Sequence, residues 1–117
     1  MPVRSLNSSV LRWPDRDTVV SALHAWLAER RRAGDAPARV GYFGSYARGD
    51  WGPGSDLDVV LIAERESASG GARASRWDLS SLPVPVDVLL YSPQEWSRLP
   101  SGRFRDTMHS EIRWLPE

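Results

Sequence analysis

The chain has 117 residues, the size of one small domain with a single core, and residues 1–117 are read as such. Fifteen basic residues balance fifteen acidic ones, so no net positive field recruits nucleic acid or an anionic membrane. Every basic residue is Arg and there is no Cys, which excludes a catalytic Lys, a Walker-type phosphate loop, disulfides, thiolate zinc sites and Cys nucleophiles.

From Thr18, the apolar residues Val19, Val20, Leu23, Trp26 and Leu27 recur at helical spacing, with Asp15 or Asp17 as the cap. Arg30, Arg31 and Arg32 complement the helix C-terminus and Gly34 ends it. Arg39 to Phe43 reads as a short strand and Leu57 to Ala63 as a second, more apolar one. The polar turn from Gly44 to Ser55 separates them. Arg65 to Arg76, rich in Ser, Ala and Gly, reads as a loop without chemistry. A third strand runs from about Val84 to Leu90, behind Pro83 and Pro85. Ser92-Pro93-Gln94-Glu95 has the form of a capping box and starts a short helix that runs up to Pro100. Ser101 is the expected cap of another helix, with Phe104 and Met108 on one face, and Ile112 and Trp114 alternate along a final strand. Strands interleaved with helices predict an α/β or α+β domain on a small mixed sheet. With no apolar run of signal-peptide or membrane-span length, the protein is expected to be cytoplasmic.

Chemistry concentrates around the second strand. Asp56 and Asp58 flank Leu57, and the two-residue period of a strand turns both carboxylates to one face. Like charges side by side repel, and a divalent cation converts that repulsion into shared coordination; a solvated strand end is the plainer alternative. Asp87 interrupts the apolar run Val84 to Leu90. Alone it reads as an edge-strand carboxylate facing solvent. If the second and third strands are neighbours, it lies beside Asp56 and Asp58 and completes a three-carboxylate magnesium site suited to phosphoryl chemistry. Upstream, Gly44 permits close backbone approach and Ser45 offers N–H and hydroxyl donors to phosphate oxygens, with Arg48 a helical turn later as a forked cation. Trp51, among Gly and Pro in the same loop, either covers a nucleotide base or anchors the loop. His24 and His109 are assigned no role.

Gly44-Ser45, ten residues, then Asp56-Leu57-Asp58 resembles the motif of the DNA polymerase β-like nucleotidyltransferase superfamily. Gly-Ser-Tyr-Ala-Arg-Gly followed by Gly-Ser-Asp-Leu-Asp-Val-Val is similar to the minimal nucleotidyltransferases in particular. The resemblance is sharpest from Tyr42 to Leu61 and reaches Asp87 less specifically. It implies an α/β palm, a small mixed sheet flanked by helices. It also implies that Gly44 and Ser45 hold the triphosphate, that Asp56 and Asp58 bind Mg²⁺, and that Asp87 shares a metal and helps deprotonate the acceptor hydroxyl.

The implied reaction moves a nucleoside monophosphate, AMP from ATP, onto a hydroxyl. Chains of this size are similar to the antitoxin half of HEPN/MNT toxin–antitoxin pairs, which implies a HEPN-type partner whose Tyr is the acceptor. The alternative is a binding module of the same fold that neutralises or scaffolds a partner without catalysis. Nucleic-acid synthesis ranks last, given the neutral charge.

Overall fold

The computed structural model describes residues 13–65 and 76–117. Helix α1 (Arg16–Arg32) starts at Asp15, whose carboxylate accepts the Thr18 N–H at 2.8 Å. That bond satisfies a donor the helix leaves free and holds the Asp15 carboxyl below its usual range. Arg30, Arg31 and Arg32 occupy the last turn, and Gly34 turns the chain away with φ of +72°. The buried stripe is Val19, Leu23, Trp26 and Leu27, as the spacing predicts.

Four strands form the sheet among the described residues: β1 (Arg39–Phe43), β2 (Leu57–Ile62), β3 (Val86–Tyr91) and β4 (Arg113–Trp114), in the order β3-β2-β1-β4. β1 is antiparallel to β2 and β4, whereas β2 and β3 are parallel, so the sheet is mixed. β2 is central and every residue in it except Asp58 is buried, which explains its nearly unbroken apolar run.

The register sorts side chains onto two faces. Val40, Tyr42, Leu57, Val59 and Leu61 join the stripe of α1 in the main core, closed by Trp77, Leu79, Leu82 and Val84. Trp26 Nε1 donates to the Asp78 carbonyl at 2.9 Å and Trp77 Nε1 to the Asp35 carbonyl at 3.0 Å, tying that segment to α1. On the opposite face Val60 and Ile62 pack with Leu89 and Tyr91 under helices α3 (Pro93–Ser97) and α4 (Arg103–Glu111), through Trp96 and Met108. Short helix α2 (Ser45–Arg48) joins β1 to the loop before β2. Gly41 keeps this face flat, since a Cβ there would come within 2.8 Å of the Trp114 ring.

Several boundaries shift from the sequence reading. β3 begins at Val86, because Pro85 has no N–H for the ladder; its carbonyl instead accepts the Leu57 N–H at 2.9 Å. β2 ends at Ile62 rather than Ala63, and α3 ends at Ser97. The capping box forms: Ser92 Oγ accepts the Glu95 N–H at 3.1 Å and Glu95 Oε1 accepts the Ser92 N–H at 2.8 Å. Ser101 does not cap α4. Gly102 takes the cap position with φ of +153° and no side-chain bond, which leaves the Ser101 hydroxyl one residue too early. Phe104 and Met108 also differ, with Met108 fully buried and Phe104 57% exposed. Residues 66–75 of the expected loop lie outside the described residues. No described helix is long and apolar enough to cross a membrane.

Candidate active site

The site lies at the end of the α3–α4 face of the sheet. There β1 and β2 pair Phe43 with Asp58, and β2 and β3 pair Asp58 with Asp87. Parallel register therefore puts two carboxylates in neighbouring positions of one row. Asp58 is half-buried under α4, whereas Asp87 is exposed on the edge strand. Asp87 is thus an edge-strand carboxylate in register with Asp58. Asp56 is exposed, just before β2 begins.

Burial raises the Asp58 carboxyl above its ordinary value, and the charges of Asp87 and then Asp56 raise it further. Arg48 acts in the opposite direction, and Glu111 adds to the rise. Three carboxylates thus share one local field, although among the described residues no three His, Cys, Asp or Glu groups stand close enough to hold a metal ion. A hard oxygen donor set of this kind fits Mg²⁺, which is usually held by one or two carboxylates together with substrate phosphates rather than by a closed protein cage.

Gly44 connects β1 to α2 with φ of +79°. A Cβ at that position would collide with Asp58 Oδ2, so the glycine both makes the turn and lets the carboxylate lie against the backbone. Its carbonyl accepts the N–H groups of Ala47 and Arg48 at 3.0 and 2.9 Å, which winds the single turn of α2. Tyr46, fully buried, anchors that turn: its hydroxyl accepts from Trp13 Nε1 at 2.9 Å and its carbonyl from Arg16 Nε at 2.9 Å. Trp51 stacks on Tyr46 with centroids 5.7 Å apart, which favours loop anchoring over base covering. His109 stacks on Trp96 at 4.9 Å.

A cleft of about 350 Å³ opens here, lined by Gly44, Ser45, Arg48, Asp56 and Asp58, with Phe43 and Phe104 along one wall. Asp87 lies outside that lining, on the edge strand beside Asp58; larger grooves beside α1 and beside β3, of about 600 and 520 Å³, contain neither Gly44 nor Asp58. Arg48 reaches the cleft already engaged. Its Nε donates to Asp50 at 3.1 Å and its Nη1 to both oxygens of Glu111 at 3.2 Å. Glu111 also accepts the Gly44 N–H at 3.2 Å. Sequence reasoning missed Glu111, which lies 67 positions from Gly44 in no motif and reaches it only because α4 folds over the sheet.

A family model described as nucleotidyltransferase domain matches residues 25–114, from within α1 to β4. No curated protein matches the chain.

Proposed function

The chain belongs to the nucleotidyltransferase domain family, whose members transfer nucleotides, and from that premise we propose that it moves AMP from ATP to a protein hydroxyl with Mg²⁺. Its mixed four-stranded sheet flanked by helices is consistent with the polymerase β-like fold of such domains. The observation that carries the proposal is the cross-strand pairing of Asp58 with Asp87 beside Gly44, with the Asp58 carboxyl pushed up by burial and by its acidic neighbours.

In this reading Asp58 and Asp87, paired across the strands, and the nearby Asp56 would hold Mg²⁺ together with the phosphates of the substrate, and the ion would supply charge neutralisation for the triphosphate. Gly44 N–H, Ser45 and Arg48 bind phosphate oxygens and fix the α-phosphorus in line with the acceptor. The acceptor oxygen forms a bond to the α-phosphorus as the bond to the bridging oxygen breaks, and pyrophosphate leaves. Asp87, exposed at the open edge of the sheet, takes up the hydroxyl proton or passes it to solvent.

The acceptor is a Tyr of a HEPN-type partner, and the modification makes this chain its antitoxin. Two features support that assignment: the likeness of the motif to minimal nucleotidyltransferases, and an exposed Asp87 that a protein-borne hydroxyl can approach. The test is incubation with α-labelled ATP, Mg²⁺ and a HEPN-type partner. Label on the partner Tyr, and none on sugars or aminoglycosides, is expected. Efficient transfer to a small molecule contradicts the assignment. Neutralisation of the partner that survives Asp56→Asn with Asp58→Asn favours a non-catalytic binding module.

A further inference from the structure

Glu111 is the last residue of α4, where a negative charge opposes the helix dipole, and it also adds to the field that raises Asp58. The helix end does not need it, because the Ile112 N–H already closes the last turn on the Met108 carbonyl. Two unfavourable placements call for a compensating contact. Glu111 has one: its side chain is only 18% exposed, with Oε1 on the Gly44 N–H and both oxygens on Arg48 Nη1. A glycine N–H and a guanidinium nitrogen converging on one oxyanion are the donor set that also recognises a phosphate.

We infer that Glu111 is an internal anion sharing the phosphate seat: its carboxylate holds the Gly44 N–H and Arg48 Nη1 in the nucleotide-free chain, and a phosphate of the incoming triphosphate displaces it. The identity of that phosphate rests on the function proposed above; the sharing of the seat does not. The exchange breaks no covalent bond and swaps one acceptor for another. Asp50 keeps its grip on Arg48 Nε throughout, so the guanidinium is already located when its second nitrogen changes partner. A seat filled in this way discriminates by charge and length. A lone inorganic phosphate must compete with the carboxylate on equal terms, whereas a triphosphate brings further contacts along the cleft.

The test is titration of wild type, Glu111→Gln and Asp50→Asn with inorganic tripolyphosphate, at low and high salt, and separately with ATP, all in Mg²⁺. Glu111→Gln keeps the shape and removes the charge, so it should bind tripolyphosphate roughly tenfold more tightly, the scale of one charge-assisted contact. The gain should persist at high salt, since it comes from a contact and not from a screened field. Asp50→Asn removes the same charge from Arg48 but leaves the Gly44 contact, and should gain less. Equal or weaker binding by Glu111→Gln, or an equal gain in Asp50→Asn, overturns the inference. Should Glu111→Gln fold poorly, the Gly44 amide resonance of the wild-type chain decides, because it must move when tripolyphosphate is added; an unmoved resonance overturns the inference too. Binding of tripolyphosphate without binding of ATP would contradict the nucleotide reading while leaving the shared seat intact.

Discussion

Asp58 carries a cost in the folded chain. Burial first, then Asp87 and Asp56, raise its carboxyl, so between the ordinary and the raised value the folded chain holds more protons than the unfolded one. Stability is therefore full below that window and falls as pH rises through it. Asp58→Asn should raise the melting temperature at neutral pH by roughly 2 to 5 °C, with the gain vanishing below the window. Melts from about pH 3 to about pH 7 check this, and a constant difference across that range contradicts it. Gly44 makes the complementary prediction. Gly44→Ala adds a Cβ that collides with Asp58 Oδ2 at φ of +79°, and should cost about 1–3 kcal/mol in denaturant titrations while abolishing magnesium-dependent nucleotide binding. Gly49→Ala, at φ of +94° with open space around the new Cβ, should lose stability through backbone strain alone and keep binding. The Gly44-Ser45 and Asp56-Leu57-Asp58 motif was legible because its spacing is local to the chain. Glu111 was not, because nothing in its neighbours along the sequence marks it, and only the packing of α4 brings it to Gly44.

Among the elements, α1 and the start of α3 came directly from sequence, since both caps are made by side chains within three residues of the bonds they form. The start of α4 did not. Ser101 looks like a cap, yet the chain reaches α4 through Gly102, whose missing side chain leaves no local signal for where the helix begins. The pairing of β2 with β3 also lay beyond the sequence, because no local pattern says which strands become neighbours. That pairing brings Asp87 beside Asp58, and Ser92 sits just past the end of β3, where the chain turns into α3. Ser92 is almost fully buried and belongs to the capping box, so Ser92→Ala should lower unfolding free energy by about 1 kcal/mol. Because it lies at the far end of β3 from Asp87, nucleotide affinity should be unchanged. A loss of affinity matching the loss of stability would mean that β3 does not hold its register independently of that cap.

For the molecule as a whole, a mixed sheet with helices on both faces was legible from the alternation of strand and helix patterns, and the family from one motif. The acceptor is not written in the fold, because the cleft at Asp58 opens to solvent. If the cleft positions a triphosphate as proposed, Ser45→Ala should reduce turnover by roughly tenfold to a hundredfold with little change in ATP affinity, while Arg48→Ala should mainly weaken ATP binding. Steady-state kinetics with ATP varied separate the two effects, and wild-type constants in both variants would show the loop to be an ordinary turn. If Asp56, Asp58 and Asp87 bind a metal ion for a nucleoside triphosphate, calorimetric titration with ATP, in Mg²⁺ and in chelator, reads that binding with no acceptor needed. Binding is expected in Mg²⁺ only, and is lost in Asp58→Asn while that variant remains folded; equal affinity with and without the metal would overturn the metal-site assignment.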